Sequence, residues 1–280
     1  DYKFNKYFSA GFTLNPRYEN WGNPTNWADF NRIDPITPIY KPEEELTGTE
    51  NEYSIYSRSP STVWNPVATV ARWKQHNVSY ALSSSAYLEI RPIKDLVIRS
   101  QASVEIDSRI SDDFSPDFVI DPANEFQTNN SITRNSPVYR NWSVQNTLTY
   151  LKTFADKHNF TAMVGNTFEE WNSTTLWGSY DKMPNNSDPL QELDAGTINP
   201  RTGGNLSTTS LLSYLGRITY NYADKYYLTA TYRVDGSSKF MDKNKWASFP
   251  SASVAWRISN ETFMEGVKSV VNSLKLRAGW

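Results

Sequence analysis

The stretch LLSYLGRITYNYADKYYLTATYRVDGSS, residues 211–238, decides the fold of this chain. It holds two runs, 211–222 and 226–235, that are separated only by Ala223-Asp224-Lys225. Apolar and polar residues alternate along both runs, and a side-chain period of 2 predicts a β-hairpin. Each run exceeds the about five or six residues of an ordinary strand. Long, aromatic-rich hairpins with tight turns are typical of the wall of a membrane barrel.

The composition of the 280-residue chain permits such a barrel and excludes a helical membrane protein. Hydrophobic residues make up 38% of the chain, the mean hydropathy is −0.62, and no stretch approaches the about 20 apolar residues of a spanning helix. A barrel strand shows only half of its side chains to lipid, which dilutes the hydropathy. The 17 Tyr and 10 Trp suit the aromatic girdles of a barrel and also surfaces that stack on sugars.

Several function classes are excluded by residue counts. The chain has no Cys, so disulfides, thiolate metal sites and a cysteine nucleophile are ruled out. Its two histidines, His76 and His158, are too few for most metal sites, and a net charge of −2 argues against a nucleic-acid partner. No signal-peptide pattern opens the chain at Asp1, so we expect either a mature N-terminus or an internal fragment.

The same alternation predicts nine strands, at 6–15, 77–91, 96–107, 142–151, 159–169, 211–222, 226–235, 252–259 and 274–280. The connections between them alternate in length. Short turns at 92–95, 152–158 and 223–225 are interleaved with long loops at 16–76, 108–141, 170–210 and 236–251. Long loops on one side and short turns on the other are typical of an outer-membrane barrel. The last link, 260–273, breaks this rule and is expected to form a short helix.

A soluble β-sandwich is the main alternative fold, because its strands also alternate between apolar and polar faces. Its exposed face is expected to be rich in Lys and Glu. Here the polar face consists mostly of Ser, Thr, Asn and Gln, which suits a water-filled lumen. We therefore predict an all-β fold, namely a segment of an antiparallel transmembrane barrel. The charged residues expected to face the lumen are Arg99, Glu105, Arg217, Arg233 and Arg257.

One long loop concentrates acidic residues, at Asp112, Asp113, Asp117, Asp121 and Glu125. Oxygen-rich clusters bind Ca²⁺, but the ordered spacing and the turn glycine of an EF-hand loop are missing. We expect a solvated loop without metal or cofactor, with Ca²⁺ as the alternative. Carboxylates are plentiful, but nothing in the sequence brings a specific pair to the spacing that glycoside hydrolysis needs, so no enzyme is predicted.

The candidate binding residues are aromatic and amide side chains in or beside the long loops. Exposed aromatic rings stack on sugars and are edged by hydrogen-bonding amides, whereas the alternative role is anchoring at the membrane interface. The candidates are Trp64, Trp73, Trp171, Trp177, Tyr180, Asn185 and Asn186. Five of them lie in or next to the segment 170–210, which is expected to form a loop above the mouth of the barrel.

A family resemblance is carried by the segment SYLGRITYNYADKYYLTATYRVDGSSKF at 213–240 together with the motifs that follow it. These motifs are Asn244-Lys245-Trp246, Phe249-Pro250-Ser251, Trp256-Arg257-Ile258-Ser259 and Leu274-Lys275-Leu276-Arg277-Ala278. They resemble the SusC/RagA family of TonB-dependent outer-membrane transporters from Bacteroidetes-type bacteria. Weaker matches begin at Asn65-Pro66-Val67-Ala68, so the resemblance covers about 65–280 and is most specific over 210–280.

The resemblance implies a 22-stranded barrel with an N-terminal plug. The resemblance therefore implies that residues 1–280 are the central part of one barrel domain, and that the plug and the TonB-contacting segment lie outside this chain. The implied function is import of oligosaccharides or peptides across the Gram-negative outer membrane, energised through the TonB complex and working with a SusD-like surface lipoprotein. The segment 170–210 would then contact either the substrate or that lipoprotein lid.

Two other function classes remain open on the sequence. One is a non-transporting outer-membrane barrel that acts as an adhesin or surface binder. The other is a soluble all-β carbohydrate-active protein, which predicts extraction without detergent.

Overall fold

The fold is built on one antiparallel sheet of ten strands. The structure, a computed structural model, describes residues 1–22, 30–31, 36, 38–42, 53–54, 65–121, 125–187 and 191–280. The strands of the large sheet are β1 (Tyr2–Lys3), β2 (Phe8–Trp21), β3 (Lys74–Ile93), β4 (Leu96–Ser115), β7 (Ser131–Phe154), β8 (His158–Asp181), β9 (Ile198–Tyr222), β10 (Tyr226–Ser237), β11 (Trp246–Arg257) and β12 (Lys275–Gly279). Each of them pairs with its neighbour in this order.

The remaining elements lie between the long strands. The strands β5 (Phe118–Asp121) and β6 (Glu125–Gln127) form a separate two-stranded sheet, and one α-helix, α1 (Pro66–Arg72), precedes β3. Asn65 caps this helix, since its side-chain oxygen accepts from the backbone N–H of Val67 and Ala68. In the described part of the chain, four short 3₁₀ segments occur at Leu193–Ala195, Asp242–Asn244, Ile258–Asn260 and Thr262–Val267.

The predicted all-β fold class is confirmed, and each predicted strand overlaps one observed strand. The predicted loops were too long. β4 continues to Ser115, β8 runs to Asp181 and β9 starts at Ile198, so 170–210 consists mostly of strand. The expected helix in 260–273 is a 3₁₀ segment at Thr262–Val267. At the long-loop end, the strands thus continue well beyond the alternating apolar stretches from which they were predicted.

The register gives the sheet two faces of constant parity. Residues directly opposite each other share parity from one strand to the next, for example Leu148 with Val164 and Leu228 with Val254. The irregularities at Ile93 and Asp181 are local. Even-numbered residues of the large sheet therefore lie on one side, here called the apolar face, and odd-numbered residues lie on the other, here called the polar face.

Two rows of aromatic rings cross the apolar face. The row near the short turns contains stacked, tilted or edge-on neighbours with ring centroids 4.8–6.4 Å apart, and it runs through Phe154, His158, Tyr222, Tyr226, Trp256 and Phe263. The row near the long loops contains the pairs Tyr18–Tyr80, Trp142–Phe168 and Tyr214–Trp246. Along the described strands β8–β11, no charged side chain lies between the rows on this face.

The spacing of the two rows matches the thickness of an apolar membrane band. Trp246 and Trp256 mark the rows on β11 and are ten residues apart. Ten strand residues rise about 34 Å, which a tilt of about 40° reduces to about 25 Å along the barrel axis. Barrels of outer-membrane type carry an apolar band of about 25 Å between their aromatic girdles.

The described residues contain no helix with both the length and the apolar character needed to cross a membrane.

Two of the three short turns, 155–157 and 223–225, share an unusual backbone. Ala155 and Asp156 have φ of 50° and 52°, and Ala223 and Asp224 have φ of 52° and 55°. Two successive positive φ values are what a type I′ hairpin turn requires, and its backbone twist matches that of the flanking strands. An alanine in this region costs about 1–2 kcal/mol. The long flanking ladders, with partners from Tyr222–Tyr226 to Leu211–Ser237, hold the second turn in place.

A carboxylate fastens the link between β11 and β12 to the neighbouring turn. Glu261 accepts hydrogen bonds from Lys225 Nζ at 2.7 Å, Tyr226 OH at 2.7 Å and Trp256 Nε1 at 2.9 Å. The Lys225 ammonium is the main cause that lowers the pKa of Glu261 to about 2. The link therefore stays attached to the turn 223–225 at any pH at which the carboxylate is ionised.

We expect this attachment to fail in acid. Because the pKa of Glu261 falls from 4.5 to about 2 on folding, its stabilising effect is complete above pH 4.5 and is lost as the pH drops towards 2. Glu261→Gln should reproduce the loosened link at neutral pH. Hydrogen exchange of the amides in 258–267, measured on the full-length protein, tests this. Glu265→Gln in the same segment is the matched control, and equal exchange in both variants would contradict the assignment.

Candidate functional site

The five charged residues predicted to face the lumen all lie on the polar face, spread from β4 to β11. Arg99, Glu105, Arg217, Arg233 and Arg257 are all odd-numbered residues of the large sheet. Most of the arginines are engaged there: Arg99 lies over the ring of Tyr87 at 3.9 Å, and Arg233 Nε donates to Asp235 at 2.7 Å. Arg217 Nε donates to Thr231 Oγ1 at 3.2 Å, and Arg257 pairs with Asp224.

An open pocket of about 400 Å³ lies on the same face, across β2, β3, β4, β7 and β8. Its walls are two adjacent rows of cross-strand neighbours. One row contains Glu105, Asn141 and Trp171, and the next contains Ser103, Ser143 and Glu169. Small hydroxyl side chains form most of the rest of the lining: Thr13, Ser83 and Ser85, beside Asn15. We call this site the Glu105–Glu169 pocket.

The pocket combines two carboxylates with an indole. Asn141 Nδ2 lies 3.4 Å from Glu105 Oε2 and orients it. Glu105 and Glu169 stand in adjacent rows on the strands that flank β7, about 10 Å apart across the strands and about 7 Å along them, so about 12 Å separates their backbones. Trp171 is 39% exposed and is the large apolar surface of the site. This arrangement suits a ligand that carries hydrogen-bond donors or a positive charge.

Trp171 and Trp177 do not lie in a loop, contrary to the prediction. Both belong to β8 and both are on the polar face, where Trp171 pairs with Asn141 and Trp177 with Asn135. Gly203 opposite Trp177 leaves room for its indole, since a Cβ there would lie 2.7 Å from Nε1. The alternation of apolar and polar residues does not predict this end of β8, because both faces carry polar residues between the aromatic row near the long loops and the loops themselves.

Tyr180 is separated from the two tryptophans. It is an even-numbered residue of β8, so its ring lies on the apolar face, where it packs against the buried cluster of Phe114, Ile132 and Met183. Gly196 contacts the ring closely, because a Cβ at that position would lie 2.2 Å from Tyr180 Cβ. The structure thus gives Tyr180 a packing role.

Asn185 and Asn186 lie in the loop after β8, as predicted, and their contacts are within the protein. Asn186 Nδ2 donates to the backbone oxygen of Asp117 at 3.0 Å, and Asn186 Oδ1 accepts from Asn130 Nδ2 at 3.1 Å. Asn185 Oδ1 accepts from the backbone N–H of Ser187 at 2.8 Å. These bonds join the loop 182–197 to the segment 116–130.

Of the other two aromatic candidates, Trp73 does not line the pocket. Trp73 follows the last residue of α1 and meets Phe118 edge-on, with ring centroids 5.7 Å apart. Trp64 lies outside the described residues.

The acidic residues predicted to crowd one loop are dispersed. Asp112 and Asp113 are consecutive on β4 and therefore point to opposite faces. Asp112 forms an ion pair with Arg134 at 2.5 Å, and Asp113 Oδ2 accepts from Gln75 at 3.0 Å. Asp117 lies in the turn before β5, and the side chains of Asp121 and Glu125 lie outside the described part. Among the described residues, no group of three or more His, Asp or Glu is placed to hold a metal ion.

Sequence reasoning missed Glu169, Asn141 and the serine rows of the pocket. Glu169 was the last residue of a predicted strand, and Asn141 preceded another by one residue. Their odd numbers, continued from the predicted strands, would have placed both on the same face as Glu105.

Comparison with known proteins gives a consistent result along the whole chain. No protein-family profile matches. The TonB-dependent receptor P26 of Formosa agariphila is 28% identical over 294 residues, which cover 100% of this chain and 28% of that protein. The TonB-dependent receptor SusC of Bacteroides thetaiotaomicron is 26% identical over 315 residues, which cover 96% of this chain and 28% of that protein. The chain thus spans about a quarter of the length of these relatives.

Solved structures share the fold. The RagAB peptide transporter aligns with a TM-score of 0.73 at 19% identity, over 99% of this chain and 31% of that chain. The RagAB peptide importer in its open-open state aligns with a TM-score of 0.71 at 18% identity, over 99% of this chain and 30% of that chain.

The two-faced sheet therefore resembles a section of a TonB-dependent receptor, and its fold is that of part of a larger barrel. Within that class, the resemblance to the SusC/RagA family is confirmed by the match to SusC and by the shared fold with RagAB. These relatives are receptors and transporters and not enzymes, in agreement with the prediction that this chain has no catalytic activity.

We expect Asn130 to control the order of the loop that carries Asn185 and Asn186. Its buried side chain accepts from the backbone N–H of Met183 at 2.7 Å and donates to Asn185 O at 3.2 Å. Asn130→Ala leaves these groups unpaired, at a cost of about 1–3 kcal/mol, and should expose 182–197 to proteases in the full-length protein. Asn129→Ala, at the neighbouring exposed position, is the control. Equal cleavage of the two variants would show that Asn130 does not hold the loop.

Proposed function

We propose that this chain is the central wall of an outer-membrane barrel that imports oligosaccharides or peptides in a TonB-dependent manner. The observation that carries the proposal is the charge-free apolar band between two aromatic rows, on a chain that aligns throughout with TonB-dependent receptors. On this proposal residues 1–280 are part of a single barrel domain, and the plug and the TonB-contacting segment belong to other parts of the receptor.

The exposure of the apolar face supports a lipid environment. Leu148, Val164, Leu228 and Val254 are 40–55% exposed, and no second layer covers them in the part of the chain that the structure describes. Soluble proteins rarely expose contiguous apolar patches larger than a few hundred Å². A soluble sandwich would bury this face against another sheet. Lipid is therefore the better partner for the apolar face, and the polar face would line the lumen.

The relatives suggest which substrate crosses the barrel and which protein covers its extracellular end. RagAB is a peptide transporter, and SusC is a TonB-dependent receptor. We infer a SusD-like lipoprotein as the lid, docked at the long-loop end, with the substrate passing over the polar face. The segments 116–130 and 182–197, which hydrogen bonds of Asn186 join, lie at that end, and the second of them carries Asn185 and Asn186. The outer membrane of a Bacteroidetes-type bacterium is the corresponding location.

The orientation of the sheet is tested by a pair of neighbouring substitutions on β10. Leu228 and Thr229 lie on opposite faces. An arginine on the lipid face near the midplane costs about 2–4 kcal/mol, so Leu228→Arg should impair assembly of the full-length protein, whereas Thr229→Arg should be tolerated. Heat-modifiability in gel electrophoresis reports assembly. If both variants assembled equally well, the apolar face would not be in lipid.

The transport function is tested by uptake in cells. Deletion of the full-length receptor from the producing bacterium should abolish accumulation of a fluorescently labelled oligosaccharide or oligopeptide, and dissipation of the proton-motive force should have the same effect. Reintroduction of the receptor should restore uptake. Surface binding that persists without any energy-dependent accumulation would identify an adhesin or surface binder instead.

A further inference from the structure

The Glu105–Glu169 pocket is lined by two carboxylates and, among its lining residues, by no Lys, Arg or His side chain. Among the described residues, neither Glu105 nor Glu169 takes part in an ion pair. Asn141, the only side chain that hydrogen-bonds either carboxylate among the described residues, is uncharged. The site therefore carries two formal negative charges.

The arginines near the pocket do not neutralise these charges because other carboxylates hold them. On the long-loop side, Arg109 Nη2 lies 2.5 Å from Asp107, and Arg17 Nε lies 3.2 Å from Glu19. On the short-turn side, Arg99 donates to Gln101 and lies 3.9 Å from Glu89. The negative potential of the pocket is therefore directed into the open space above it.

Trp171 adds an independent preference for a positive charge. Its indole stands in the same row as Glu105 and adjacent to the row of Glu169, and part of it is exposed to the pocket. An ammonium or guanidinium group over an indole face is attracted by the ring quadrupole. The serines around it, Ser85, Ser103 and Ser143, are too small to fill the space and accept or donate hydrogen bonds.

We propose that this pocket binds the side-chain ammonium or guanidinium of a basic oligopeptide. This proposal rests on the proposed import function and narrows its substrate to peptides that carry Lys or Arg. Both glutamates line this pocket from the strands on either side of β7, which carries Ser143. The cation is held between Glu105 and Glu169 and stacks on Trp171. A neutral oligosaccharide leaves both charges uncompensated.

The experiment uses the full-length receptor in detergent and two probes, the peptide Gly-Gly-Lys-Gly-Gly and the same peptide with an acetylated lysine. Calorimetry should show tighter binding of the charged probe, with an affinity that falls as salt is added. Glu169→Gln, Glu105→Gln and Trp171→Ala should each weaken binding of the charged probe by about three- to tenfold. Glu170→Gln removes the same charge from the next residue, on the apolar face, and should leave binding unchanged.

Three results would overturn the proposal. The first is equal affinity for the charged and the acetylated probe. The second is an equal effect of Glu169→Gln and Glu170→Gln in variants that assemble normally by heat-modifiability. The third is failure of a Cys at Ser143 to react with a maleimide, which would show that another part of the receptor fills the pocket. Uptake of a neutral oligomer that is lost on receptor deletion but unaffected by Glu169→Gln would retain the import function and remove only this substrate assignment.

Discussion

The register of the large sheet is the constraint on which the rest of the structure depends. Because side chains alternate with a period of 2, a slip of one residue between two strands moves every side chain of one of them to the other face. From β2 to β11, opposite residues keep the same parity apart from two local irregularities. A slip between β7 and β8 would bring Glu169 and Trp171 to the apolar face and Phe168 to the polar one. The two aromatic rows and the Glu105–Glu169 pocket are thus consequences of one alignment.

The sequence predicted the parts of the fold where one face is apolar and failed where that asymmetry ends. Between the aromatic rows, residues such as Leu228 and Val254 alternate with Thr229 and Ser253, and the strands and turns there were predicted correctly. Beyond the aromatic row near the long loops, the ion pair of Asp112 with Arg134 lies on the apolar face. Both faces carry polar residues there, so the period of 2 is no longer visible in the sequence. For this reason the sequence predicts a loop at 170–181 and does not separate Tyr180 from Trp177, which lie on opposite faces of β8. For the same reason it does not single out Glu169 as a pocket residue. Contacts between distant loops, such as Asn130 with Asn185, have no local signature at all.

The two ends of the sheet are held by different interactions. At the short-turn end, backbone geometry at Ala223 and Asp224 and the three donors on Glu261 fix the connections within a few residues of each strand. At the long-loop end, buried Asn130 and the Asp112–Arg134–Glu192 ion pairs join segments that are 22 to 58 residues apart in sequence. Removal of Asn130 or Arg134 therefore affects several segments of the long-loop end at once, and removal of the Glu261 carboxylate frees the link after β11 from a turn 35 or 36 residues earlier in the sequence.

The repeated Ala-Asp-Lys turns also bear on how the wall forms. A turn of three residues closes with a small loss of chain entropy, since the entropic cost of joining two ends grows with the length between them. β7 with β8 and β9 with β10 therefore make low-contact-order units that close before the pairing of β8 with β9, which must wait for the residues 182–197 to be ordered. The wall is thus expected to grow by whole hairpins, two strands at a time. An even strand number in the finished barrel follows naturally from such growth.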